Sequence, residues 1–98
     1  MENLFVYGTL TAPARQRAII GRAAASAPAA LEGYHKGTIT LGLHTYPIAQ
    51  ARAGARIEGL VLEVTTAELT LFDRYETDAY RRVRVTLADG AEAWLYCE

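Results

Sequence analysis

The chain has 98 residues, 51% hydrophobic and 21% charged, a composition typical of one globular domain over residues 1–98. Ten basic residues against eleven acidic ones leave a net charge of -1, which argues against nucleic acid or an anionic membrane as partner. The single cysteine, Cys97, excludes an internal disulfide and a multi-cysteine metal site.

The N-terminal residues and the single cysteine indicate the cellular compartment to expect. Residues 1–7 lack the basic and apolar regions of a secretory signal, and no segment has the ~18 apolar residues of a membrane span. A lone cysteine is typical of a reducing environment. We therefore expect a cytoplasmic protein with no membrane partner.

A short apolar and aromatic run, Leu4–Tyr7, predicts a buried strand that ends in a turn at Gly8. Glycine lets the backbone come close to a ligand, and consecutive N–H groups in such a turn can form an anion-binding concavity. Most strand-to-glycine turns have no such role, so the pattern alone favours a plain turn.

The next segment predicts a helix. Pro13 suits a first helical turn because its φ angle is fixed, and Gly21 is typical of the residue after a helix. We expect Ala14–Ile20 to be helical, with Ala18 and the Ile19–Ile20 pair facing the core.

The middle of the chain has too many glycines for helices. Residues 23–30 are expected to be extended. Four separate strand pieces are then predicted: Leu31–His35, Thr38–Leu41, Tyr46–Ala49 and Ile57–Val64. Gly59, inside the last piece, indicates a bulge or a close backbone approach.

A capping box marks the second helix. Thr65 is the predicted N-cap, and Glu68 reaches back from the third helical position. The helix is expected to run from Thr66 to about Tyr75.

Two strands complete the chain. Tyr80–Leu87 and Ala91–Cys97 are predicted to pair through a hairpin turn at Asp89-Gly90. All the elements together predict an α+β fold that is mostly β with two short helices.

Glu76 is the first candidate functional residue. It lies seven residues after Leu69 and four after Phe72, so a helix reaching Glu76 would place the carboxylate on its apolar face. Burial raises the pKa of a carboxyl group and can tune it for proton transfer near neutral pH. Alternatively, Glu76 lies past the helix end and pairs with Arg81, Arg82 or Arg84. Spacing alone favours this pairing.

Two segments together resemble the gamma-glutamylcyclotransferase-like superfamily. Leu4–Leu10 resembles its N-terminal signature, and Leu71–Glu76 followed by Tyr80–Arg82 resembles its second signature. Three pairs between them also fall in the family's order: Leu31-x-Gly33, Tyr46-Pro47 and Ile57-x-Gly59. Pro13 and Gly21-Arg22 resemble the small branch named for a plant avirulence-induced gene.

The resemblance implies a small mixed β-barrel with two short flanking helices. It also implies an enzyme without cofactor or metal that releases 5-oxoproline from a γ-glutamyl amine or amino acid. The family's general acid/base falls on Glu76, and Tyr80 falls beside the pocket, where a binding role and a core role are equally open. The substrate-cradling loop falls on Tyr7, Gly8, Thr9 and Leu10.

This chain departs from the family pattern after each signature. Thr77 stands where the family has glycine after the catalytic glutamate, and Thr11-Ala12-Pro13 replaces the residues typical of γ-glutamylamine-specific members. A non-catalytic module that binds a small anionic metabolite or a protein partner is therefore the alternative function. His35 and His44 are not expected to bind metal, because no cysteine lies near them and their spacing does not fit a helical metal site.

Overall fold

The computed structural model describes residues 1–76 and 80–97. The strands of this part are β1 (Glu2–Val6), β2 (Ser26–Leu41), β3 (His44–Val64), β4 (Arg81–Thr86) and β5 (Glu92–Cys97). The helices are α1 (Pro13–Ile20) and α2 (Thr66–Glu76), and a 3-10 turn spans Thr9–Thr11.

The five strands form one mixed sheet in the order β2-β3-β1-β5-β4. The central strand, β1, is antiparallel to β3 and parallel to β5. Beyond the end of β1, β3 reaches β5 directly through the pair Ala49↔Cys97. The sheet therefore curls into a half-barrel, and the predicted α+β fold with two flanking helices is confirmed.

The centre of the sheet is buried on both faces, as the alternation along β1 shows. Leu4 and Val6 belong to a cluster with buried residues of both helical regions, including Leu10 and Phe72. Phe5 points to the other face, where the cluster contains only residues of strands and their connections. The sheet buries this second face by curling on itself.

The prediction of four separate strand pieces is wrong, because they join into the two long strands β2 and β3. The reason is local backbone geometry. Gly33 and Gly54 adopt left-handed φ angles (84° and 80°) where the register shifts, so the ladder bends without ending. Gly37 and Gly59 stay paired within the ladder.

Helix α1 spans Pro13–Ile20, one residue longer than the predicted Ala14–Ile20, and Gly21 caps its end as predicted. The expected burial of Ala18 is wrong, since Ala18 is exposed, while Ile19 and Ile20 are only partly buried against the core. The buried residue is Gln16, which lies three and four residues before the isoleucines and shares their face.

The Gln16 side chain explains the rotation of this helix. Its amide nitrogen donates to the carbonyl oxygen of Leu10 (2.8 Å), and its amide oxygen accepts from the N–H of Ala24 (3.0 Å). A buried amide with both ends satisfied stabilises the fold, whereas an unsatisfied one would cost free energy. The helix therefore turns its Gln16 face inward.

The capping box of α2 is confirmed. The N–H of Glu68 donates to the Thr65 hydroxyl (3.1 Å), and the N–H of Thr65 donates to the Glu68 carboxylate (2.9 Å). Arg22 also donates two hydrogen bonds to that carboxylate, at 2.7 and 2.8 Å. The start of α2 is thereby tied to the segment after α1.

The predicted C-terminal hairpin is present. β4 and β5 pair antiparallel from Arg81↔Cys97 to Thr86↔Glu92, and Gly90 has a left-handed φ of 91° in the turn. Cys97 is buried among apolar residues, as expected of a packed thiol. Neither described helix is long and apolar enough to cross a lipid bilayer.

We predict that Gly59→Ala lowers the free energy of unfolding by about 3 kcal/mol, as an overpacked core residue does. A methyl group there would overlap the carbonyl oxygen of Val6 and the ring of Phe5. Gly54→Ala is the matched control: it meets open space at a left-handed φ and should cost only about 1 kcal/mol. Urea unfolding followed by Trp94 fluorescence measures both, and equal losses would contradict the close approach.

A second prediction concerns Glu68, whose side chain is 14% exposed. The hydrogen bonds from Arg22 lower the pKa of Glu68 to about 2 from an ordinary 4.5. The carboxylate should therefore stabilise the fold above its unfolded pKa, and this contribution should be lost as pH falls from about 4.5 toward 2.

Glu68→Gln keeps an oxygen that can accept from the Thr65 N–H but removes the charge. It should therefore lower the free energy of unfolding by about 1.5 kcal/mol at neutral pH. The cost should shrink in acid. Glu58→Gln, at an exposed pair with Arg56, is the control and should cost almost nothing. Denaturation curves across the acid range test this, and a cost that does not vary with pH would refute it.

Candidate active site

A cavity of about 540 Å³ opens where β1 ends. This volume lies within the roughly 300–1,000 Å³ typical of small-molecule sites. The cavity brings together all six site residues predicted from the sequence: Tyr7, Gly8, Thr9, Leu10, Glu76 and Tyr80. Residues separated by about seventy positions in the chain thus line one concave surface.

The turn after β1 forms one wall of the cavity. Its own carbonyl groups accept bonds from within the turn: the N–H of Thr11 donates to Gly8 (3.0 Å), and the N–H of Ala12 donates to Thr9 (3.2 Å). The first N–H groups of a helical turn have no carbonyl partner inside it. The backbone of residues 8–10 is therefore suited to donate to an anionic ligand.

Gly8 also has a steric reason to be glycine. A Cβ at this position would lie 3.2 Å from the Pro47 ring, tighter than ordinary van der Waals contact. The turn and the Pro47 segment of β3 therefore approach each other closely across the cavity wall.

Tyr7 has its hydroxyl committed to the scaffold. The hydroxyl donates to the carbonyl oxygen of Tyr96 (2.8 Å) and accepts from the N–H of Ala49 (2.8 Å). Burial raises the pKa of Tyr7 well above its usual range, and the bond from Ala49 opposes this only in part. The ring of Tyr7 thus borders the cavity while its hydroxyl joins β5 to β3.

Glu76 is the last residue of α2 and is partly buried. Leu69 and Phe72 on the same face are buried. The helix therefore reaches Glu76 and places it beside the core, as the first of the two interpretations of its spacing requires. Burial raises the pKa of Glu76 to about 7. A carboxyl group with this pKa exchanges a proton readily near neutral pH.

The alternative interpretation, an ion pair with a following arginine, is not what the described residues show. No salt bridge reaches Glu76 within residues 1–76 and 80–97. Arg82 instead contacts the carboxylate of Asp73 (3.2 Å), and Arg82 and Arg84 both lie over the Trp94 ring. Thr77, which departs from the family pattern, lies outside the described residues.

Tyrosine side chains line the cavity beside Glu76. The Tyr80 hydroxyl donates to the carbonyl oxygen of Pro47 (3.0 Å). Burial raises the pKa of Tyr80, and the nearby charge of Glu76 adds to the rise. The Tyr96 hydroxyl donates to Asp73 (2.7 Å), so these two phenols hold the cavity wall in place with their protons engaged.

Seven further lining residues were not predicted as site residues: Phe5, Val6, Arg15, Tyr46, Pro47, Tyr75 and Tyr96. In the sequence, Tyr46-Pro47 was named as one of the pairs that resemble the family, without a role in the site. Arg15 carries no local sequence signal, because its position depends on the rotation of α1 that Gln16 sets. The described residues contain no cluster of three or more His, Cys, Asp or Glu side chains able to hold a metal ion.

We predict that Glu76 titrates with a midpoint near 7 in the folded protein, measured by carboxyl carbon NMR. Since the unfolded value is 4.5, the folded state holds the proton more tightly, and stability should fall as pH rises from 4.5 to 7. Glu76→Gln should abolish this pH dependence. At high pH its free energy of unfolding should exceed that of the wild type by about 2 kcal/mol, a figure reduced for the partial solvent exposure of the side chain. A midpoint near 4.5 would contradict the burial argument.

Comparison with known proteins gives a consistent result. Residues 4–98 match the family model "Gamma-glutamyl cyclotransferase, AIG2-like". The chain is 39% identical over 85 residues to Protein AIG2 C of Arabidopsis thaliana, covering 86% of this chain and 50% of that protein. It is 32% identical over 95 residues to AIG2-like protein D of the same plant, covering 94% and 61%. The chain thus spans about half to three fifths of these curated relatives.

Solved structures show the same fold. A solution structure of an Arabidopsis thaliana protein superposes with a TM-score of 0.84 at 33% identity, covering 98% of this chain and 61% of that one. A gamma-glutamyl cyclotransferase superposes with a TM-score of 0.76 at 18% identity, covering 98% and 65%, a likeness of fold alone. The family match over almost the whole chain decides the assignment: this chain belongs to the AIG2-like gamma-glutamyl cyclotransferase family.

Proposed function

We propose that this chain is a gamma-glutamyl cyclotransferase that converts a γ-glutamyl amine or amino acid into 5-oxoproline and the free amine. The observation that carries the proposal is the position of Glu76. A carboxyl group with a pKa near 7 faces the same cavity as the turn at residues 8–10. Membership of the family supports the reaction class.

The proton transfers assign the role of Glu76. The ionised carboxylate takes a proton from the substrate's α-ammonium group, and the free amine then attacks its own γ-carbonyl carbon. A new C–N bond closes the five-membered ring, and Glu76 returns the proton to the departing nitrogen as the old amide bond breaks. The carboxylate, ionised again, then takes the second proton from the ring nitrogen and passes it to the released amine, which leaves as an ammonium ion. One group thus acts in turn as base and as acid.

The turn at residues 8–10 supplies the complementary charge. The substrate carries an α-carboxylate, and its γ-carbonyl oxygen becomes negative as the amine attacks. Backbone N–H groups held in a rigid turn can stabilise such charge, because they need no rearrangement at the moment of reaction. Ring closure is intramolecular, so holding the substrate in a folded conformation lowers much of the barrier.

We predict that Glu76→Gln lowers kcat for 5-oxoproline release on the order of 1,000-fold, the typical contribution of a general acid/base. Glutamine has nearly the same shape but cannot accept the proton. In the wild type, kcat/KM should rise with pH through a midpoint near 7, as Glu76 ionises. The measurement is 5-oxoproline release from a panel of γ-glutamyl amino acids and amines.

Glu63→Gln is the matched control, because Glu63 is an exposed carboxylate that does not line the cavity. It makes the same change of charge and should leave turnover intact. Full activity of Glu76→Gln would overturn the proposal. Binding of panel compounds by a wild type that releases no product would instead favour the non-catalytic binding module.

A further inference from the structure

The mouth of the cavity holds a positive charge that the proposed reaction does not use. Arg15, on α1, is the single basic side chain among the described residues that line the cavity. It is exposed, and its guanidinium carbon lies 5.8 Å from the centre of the Tyr75 ring on α2. The two helices thus place a cation and an aromatic face together at the edge of the cavity.

Differences in burial indicate which part of the substrate each of these groups would contact. Glu76 is partly buried, while Tyr75 and Tyr46 are each 40% exposed and lie on the outer part of the lining. In the proposed reaction the γ-glutamyl group must reach Glu76 and the turn. The leaving group then extends toward the opening, where Arg15 and the two tyrosines lie.

We infer that Arg15 makes the cavity select γ-glutamyl compounds whose leaving group carries a carboxylate, that is, γ-glutamyl amino acids over γ-glutamyl amines. The inference rests on the proposed function and adds a specificity-determining residue to it. A guanidinium can donate two parallel hydrogen bonds to a carboxylate, a geometry that an ammonium group does not offer. An amine without the carboxylate has no group for Arg15 to bind.

The contact with Tyr75 has a second interpretation, in which Arg15 merely helps α1 pack against α2. A packing role predicts a loss of stability and equal effects on every substrate. A selective role predicts a change in the ratio of kcat/KM values between two substrates that differ only in the carboxylate. The ratio therefore separates the two roles.

The test compares γ-glutamylalanine with γ-glutamylethylamine, whose leaving groups differ only by that carboxylate. The wild type should prefer γ-glutamylalanine. Arg15→Gln should lower kcat/KM for γ-glutamylalanine roughly tenfold, the scale of a partly exposed hydrogen bond between charged groups, and leave γ-glutamylethylamine unchanged. Arg15→Lys should fall between, because it keeps the charge but not the paired donors.

Arg17→Gln is the matched control. Arg17 lies two residues along the same helix, is also exposed, and does not line the cavity. It should leave the substrate ratio at the wild-type value. An unchanged ratio in Arg15→Gln, or an equal loss for both substrates, would overturn the inference while leaving the cyclotransferase activity established.

Failure of the proposed function has a different signature, namely no 5-oxoproline from either compound. In that case the inference is tested by binding. Each compound is titrated into the wild type and into Arg15→Gln, and NMR chemical shifts report its affinity. Weaker binding of γ-glutamylalanine alone in the variant supports a carboxylate-selecting Arg15. Equal binding of the two compounds, or binding of neither, overturns it.

Discussion

The hydroxyl group of Tyr7 is the contact on which the site depends. Strand β1 separates β3 from β5 until it ends at Val6, and beyond that point these two strands pair with each other. The hydroxyl lies at this junction and bonds the backbone of both strands, one as donor and one as acceptor. With the junction closed, the chain can leave the sheet at Gly8 and wrap around an open cavity.

Helix α2 places two glutamates in opposite electrostatic environments. Glu68, in the first turn, has a pKa near 2 because Arg22 and the Thr65 N–H stabilise its charge. Glu76, at the last residue, has a pKa near 7 because burial penalises its charge. The helix dipole acts in the same sense at each end, favouring an anion at the N-terminus and disfavouring one at the C-terminus. One element therefore supplies both a permanent anion for stability and a titratable group for the cavity.

The sequence was sufficient wherever the determinant was local. The capping box at Thr65, the helix limits at Pro13 and Gly21, and the Asp89-Gly90 hairpin depend on neighbouring residues, and each is present in the structure. The six predicted site residues also line one cavity, but they were identified by the resemblance to the family, since spacing alone favoured an arginine pair for Glu76. Their catalytic and binding roles stay predictions.

What the sequence missed depends on contacts between distant segments. The long strands β2 and β3 persist through their glycines because cross-strand pairing continues on both sides of each bend. Ala18 was expected inside because it is apolar, but an apolar residue of that size gains little from burial compared with a fully bonded amide. Arg15 could not be identified, because helix rotation is a property of packing rather than of local pattern.

Gln16 has a consequence for how recognition can change in this fold. Its amide bridges Leu10 and Ala24 and so holds α1 at one rotation, with Arg15 toward the cavity and Arg17 away from it. Consecutive helical residues are about 100° apart, so a rotation of that size would bring a different side chain of α1 to the ligand. A buried residue that touches no ligand thereby controls the chemistry of the cavity mouth, and ligand preference can evolve through the core as readily as through the surface.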